Sequence, residues 1–174
     1  MIQQTKGNAS NSSFYFLLWG WVVTICNFSM YGIIHFTSYP PQTAAFVWTL
    51  CIPAWIITLV YAFRQERGGV ITHLDTISKW MWVGVGIAIL PPCMFGAQIN
   101  WHINAVILLM IGLATFVSGI IVRFRPLVMG GIVLWLGATM CFVVGNLNQF
   151  LVGGIAMILG YLVPGYLIRR QSKQ

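Results

Sequence analysis

The chain predicts an all-α fold, a polytopic membrane helix bundle with six transmembrane helices and both termini cytoplasmic. Three observations carry that expectation. The 174 residues are 59% hydrophobic and only 6% charged, whereas a soluble domain is about 25% charged. So few charges cannot build a water-facing surface, so lipid must solvate most of the chain. Six stretches approach or reach the ~20 apolar residues that cross a hydrocarbon core. They are 14–36, 44–63, 77–95, 103–122, 127–145 and 150–168. The nine Lys and Arg then obey a single topology.

Lys6 precedes the first stretch, Arg64 and Arg67 follow the second, and Lys79 opens the third. Arg123 and Arg125 separate the fourth and fifth, and Arg169, Arg170 and Lys173 follow the sixth. The connections 37–43, 96–102 and 146–149 contain no Lys or Arg. Positive residues stay on the cytoplasmic side, so both termini and both basic loops are expected there. The length fits one domain, 1–174, with polar tails at 1–13 and 171–174. The net charge of +7 belongs to clusters beside apolar spans. It points to anionic headgroups at the cytoplasmic face, not to nucleic acid.

The first stretch follows a polar segment and has no small-residue cleavage pattern, so it reads as a retained helix. Asn8-Ala9-Ser10 and Asn11-Ser12-Ser13 match the glycosylation pattern, but a Ser/Asn-rich tail generates such triplets easily. They would matter only in a eukaryotic secretory membrane with inverted topology. Gly68 and Gly69 end the second helix. Thr72-His73-Leu74-Asp75 fits a capping box, which starts the third helix near His73, with Ile71, Leu74 and Ile77 forming an amphipathic turn. Trp80 and Trp82 suit the headgroup level, as do Trp19 and Trp21 if the first span starts later.

Pro91-Pro92 removes two backbone donors, so the third helix is expected to break near mid-membrane, its freed carbonyls finding partners in the bundle. Pro53 and Pro164 are placed to bend spans two and six. Gly112, Gly119, Gly130, Gly131, Gly137, Gly153, Gly154, Gly160 and Gly165 permit close helix approach, which is how membrane helices pack. Cys26-Asn27-Phe28 and Cys93-Met94-Phe95 precede His35 and His102 at one offset. Three apolar-to-arginine span ends add the outline of a threefold hairpin repeat. Ordinary membrane composition explains both features.

The acids constrain the chemistry most. Glu66 and Asp75 are the two carboxylates, and both fall in one cytoplasmic connection. Proton and cation pathways rely on ionisable groups within the membrane, and two-metal and glycosidic chemistry needs carboxylate clusters. Cys26, Cys51, Cys93 and Cys141 lie in apolar stretches without a CxxC pair, so they read as small hydrophobes rather than a disulfide framework or zinc site. His35 and His102 are the candidate metal or haem ligands, near the outer face. Two imidazoles without acids or thiolates at their depth make a thin site, so no cofactor is expected. His73, Asp75 and Lys79 read as a solvated helix start. Thr24, Asn27, Ser29 and Thr49 are the polar residues expected at membrane depth, and Asn27, Pro91 and Pro92 are the best pointers to a cavity.

The Trp-Gly-Trp at 19–21, the Arg-Phe-Arg-Pro at 123–126 and the Gly-Tyr-Leu-Val-Pro-Gly-Tyr-Leu-Ile-Arg-Arg at 160–170 complete this layout. With it, the chain resembles small six-span bacterial inner-membrane proteins of unknown function. That resemblance implies a bacterial cytoplasmic membrane and no activity, so it carries over no functional residues. Three functional readings follow in order. The first is a non-catalytic membrane component or regulatory subunit, with a membrane protein partner or a second copy of itself. The second is a carrier or channel for a neutral solute, using the broken third helix. The third is an intramembrane redox, haem or metal protein using His35 and His102. An enzyme ranks last, because no acid–base or nucleophile constellation is present.

Overall fold

The computed structural model describes residues 2–37, 41–66, 73–144 and 147–171. Those residues form helices and turns without a strand. Six helices are long and apolar enough to cross a membrane: Ser13–Phe36, Ala45–Ala62, His73–Met94, Ile103–Val122, Arg125–Val144 and Gln149–Arg170. They are called spans one to six. Arg67, Gly68, Gly69, Ile71, Thr72 and Lys173 lie outside the described residues.

The expected spans are present, with ends displaced by a few residues. The first helix runs back to Ile2, through the segment expected to be a tail. Span two starts as a tight 3₁₀ turn, Ala45–Leu50, and widens to an α-helix at Cys51. Pro53 follows this change of pitch, two residues into the α-helix. The third helix is in place from His73.

The expected break at Pro91-Pro92 does not occur. The helix continues through both prolines to Met94, and the Phe95 N–H still donates to the Pro91 carbonyl at 2.8 Å. Because the helix is already formed at His73, the prolines fall in its last turn rather than at mid-membrane. The chain changes direction at Phe95 (φ −112°, ψ 36°) and passes through a short 3₁₀ turn, Gly96–Ile99. Asn100 (φ 52°) and Trp101 (φ 60°) are then both left-handed.

Spans four and five form the tightest hairpin. Arg123 (φ 56°) ends span four in the left-handed conformation. The Phe124 N–H closes the turn onto the Gly119 carbonyl at 2.9 Å, and Pro126 lies in the first turn of span five. A Cβ on Gly131 would lie 2.8 Å from the Gly112 carbonyl oxygen, so the two backbones touch where both residues are glycine. Span six packs on span five in the same way. A Cβ on Gly160 would lie 2.7 Å from the Gly130 carbonyl oxygen. Span six also contains a wide π-turn, Ile158–Leu162. Pro164 follows it and has no N–H to return to the Gly160 carbonyl, which disfavours regular α-helical closure there.

The core belongs to spans one, four, five and six, where Phe16, Leu108, Leu127, Leu134, Ala138, Met157 and Tyr161 are buried together. Of the most apolar stretch of span six, 56% is buried inside the molecule, against 6% for span two and 0% for span three. Those two spans flank the core, each held by a few contacts. Trp19 Nε1 donates to Thr58 Oγ1 at 3.0 Å, tying span two to span one. The Phe14 and Tyr61 rings stack at 4.2 Å beside it. Trp82 Nε1 donates to Ser118 Oγ at 3.2 Å, tying span three to span four. Trp82 is thus turned into the bundle, against Phe16 and Tyr161, whereas Trp80 is 67% exposed. Of the two indoles expected at headgroup level, only Trp80 keeps an exposed ring.

Candidate functional site: a buried amide cluster

Two carboxamides and the main chain of a third amide residue, from three spans, meet at the uncharged end of the bundle. Asn27 comes from span one, Asn104 from the first turn of span four, and Gln149 from the first residue of span six. All three side chains are buried, Asn27 completely. Asn104 Nδ2 donates to Asn27 Oδ1 at 3.0 Å and to the Gln149 carbonyl at 2.8 Å. Asn27 Nδ2 donates back to the Val23 carbonyl of its own helix at 2.9 Å. Gln149 Nε2 donates to the Trp101 carbonyl at 2.9 Å, fixing the left-handed turn before span four. The Cys141 thiol of span five donates to the Gln149 carbonyl at 3.4 Å.

The sequence makes room for this cluster at Gly153. A Cβ there would lie 2.9 Å from Asn27 Oδ1 and overlap the Asn104 amide nitrogen. One turn below the start of span six, the absent side chain lets two amides reach each other. The cluster is uncharged, so its chemistry is hydrogen bonding. In lipid an unsatisfied amide costs several kcal/mol, and the Asn27 and Asn104 amides bond each other and nearby carbonyls.

Asn27 is the one expected cavity residue found here. Pro91 is exposed and Pro92 half-buried on span three, outside the amide cluster. Of the other polar residues expected at depth, Thr49 Oγ1 donates to the Phe46 carbonyl of its own turn at 2.8 Å. Thr24 Oγ1 is buried without a hydrogen-bond partner among the described residues, as is Thr115 Oγ1. Sequence reasoning missed Asn104 and Gln149. Asn104 sits inside a strongly apolar stretch, which was the available signal. Gln149 read as the last residue of a connection.

The structure does not bring the two histidines together. Asn27 and Asn104 mark a common level. His35 lies about 12 Å beyond Asn27 at 1.5 Å per residue, whereas His102 precedes Asn104 by two positions. His35 is exposed and stacks on Tyr31 at 4.3 Å. His102 tilts against Phe142 at 5.5 Å, and its Nδ1 is buried without a hydrogen-bond partner among the described residues. No group of three or more His, Cys, Asp or Glu that could hold a metal ion occurs among the described residues. At the basic end, His73 and Lys79 are exposed and Asp75 is half-buried. Comparison with protein-family models, with curated proteins and with solved structures finds no match.

Proposed function

We propose that this multi-span membrane protein is a non-catalytic membrane component, a subunit or regulator that acts by packing against a membrane protein partner. We place it in a bacterial cytoplasmic membrane, with both termini and the basic loops inside. The observation that carries the reading is how the buried polar groups are used. Asn27, Asn104 and Gln149 hydrogen-bond one another and nearby carbonyls, in the arrangement of interhelical glue. Spans two and three supply the complementary feature. Their apolar surfaces are almost wholly outside the core, with Ile52, Trp55, Ile56, Ile87 and Leu90 each more than half exposed.

The carrier reading loses its motive, because the third helix continues through Pro91 and Pro92. The different heights of His35 and His102 by helical rise do not favour the histidine cofactor reading. Affinity purification from native membranes in mild detergent tests the proposal. A membrane protein recovered at fixed stoichiometry, and lost when Trp55 and Ile87 are both replaced by alanine, is the expected result. A chain that purifies alone and releases a neutral solute from liposomes would overturn it.

A further inference from the structure

The four cysteines are far apart in sequence, but the fold sets Cys26 against the turn of span two that leads into Cys51. Cys26 is completely buried on span one. Its thiol donates to the Val47 carbonyl at 3.5 Å, in the 3₁₀ turn that opens span two. Cys51 begins the α-helix one turn after Val47, which places it at the same contact between spans one and two as the Cys26 thiol. Cys51 is half-buried. Its neighbour Ile52 is 62% exposed on the surface that the fold leaves to lipid. Cys141 has a different setting. It is buried in the core and donates to the Gln149 carbonyl.

We propose that Cys26 and Cys51 form an oxidisable dithiol between spans one and two, with a lipid-soluble quinone as the electron acceptor. In the reaction both S–H bonds break and one S–S bond forms. Two electrons and two protons pass to the quinone, which leaves as the hydroquinone. Neighbouring thiols react as an intramolecular pair at high effective concentration. A disulfide needs Cβ atoms about 3.5–4.5 Å apart, and span two can adjust to that. It is only 6% buried, so a small shift disturbs few buried contacts. The position selects the oxidant class. The pair lies below the start of span two, beside lipid-facing side chains, where a quinone dissolves and a charged disulfide does not. The inference does not depend on the non-catalytic reading, since a disulfide can regulate a packing surface without turnover.

The test uses the full chain, reduced, freed of reductant and reconstituted in lipid vesicles. A decyl-substituted benzoquinone is the probe. After exposure the protein is denatured and its thiols are counted with a mass-tagged maleimide. The four reactive thiols of the reduced chain should fall by two, with one hydroquinone formed per chain. Proteolysis should give one linked pair of peptides, joining Cys26 to Cys51. Cys51→Ser should keep all of its remaining thiols, and Cys93→Ser should still lose two. An unchanged thiol count, a loss that persists in Cys51→Ser, or a link to Cys93 or Cys141 would overturn the proposal. The Cys93→Ser chain, whose altered side chain is exposed, keeps the result interpretable if Cys51→Ser assembles poorly.

Discussion

Asn104 is the residue on which the amide cluster turns, because one NH₂ group serves two other spans. Replacing it by leucine keeps a similar volume but removes both donors. Asn27 Oδ1 then loses its partner in a dry environment, and the Gln149 carbonyl loses its amide donor from span four. Interhelical hydrogen bonds in membranes average about 0.6 kcal/mol and reach about 1.7. An orphaned buried acceptor costs about 1–3 kcal/mol. We expect Asn104→Leu to destabilise the bundle by about 1–3 kcal/mol, measured by reversible unfolding in mixed micelles. Thr139→Ala is the control. Its hydroxyl bonds only the Trp135 carbonyl of its own helix, at an exposed position, so a change of less than about 0.5 kcal/mol is expected. Equal effects from both variants would deny the cluster its structural role. The cluster was only partly legible in the sequence. Asn27 stood out as an amide within an apolar span. Which amide it would meet depended on the relative heights of three helices, and hydropathy does not encode those heights.

Helix ends and helix contacts show a similar division. A bilayer demands about 20 apolar residues per crossing, so each span could be located from composition, and Ile103–Val122 coincides with the expected segment. The prolines misled because their effect depends on position within the helix. The Ile87 and Ala88 carbonyls lose their donors, but the helix ends two residues after Pro92, and the Phe95 N–H still closes the last turn onto the Pro91 carbonyl. The glycines behaved as expected. The contrast can be measured. Pro91→Ala with Pro92→Ala should leave stability within about 0.5 kcal/mol of the parent, as for surface changes away from buried features. Gly130→Leu should cost about 2 kcal/mol or more, as overpacking does, because its side chain would be built into Pro164 and the Gly160 backbone. Thermal unfolding in detergent ranks the two. A proline pair as costly as Gly130→Leu would restore the third helix as a structural keystone.

For the whole molecule, six crossings would put the two termini on one side, and the placement of arginines and lysines carries the expectation that this side is cytoplasmic. Reporter fusions at Gln42, Asn100 and Asn148 are expected to read outside, and fusions at Gly68, Arg125 and Gln174 inside. An external signal at Gly68 would invert the bundle, and would return meaning to the acceptor triplets at Asn8 and Asn11. By itself the sequence determined the membrane as solvent, the number of spans and the alternation of basic and uncharged ends. These follow from one-dimensional quantities, namely apolar run length and charge placement. Only the tertiary structure decided which spans form the core. Spans two and three are left at the edge: span two has no glycine, and Gly84 and Gly86 of span three meet no backbone, whereas glycines of spans four, five and six bring backbones together. It also decided which polar residues meet. Pairings such as Asn27 with Asn104, or Cys26 with the Val47 carbonyl, depend on how helices are rotated and staggered against one another. In lipid, that choice rests on close packing and hydrogen bonding, because apolar surface is equally well solvated on every side.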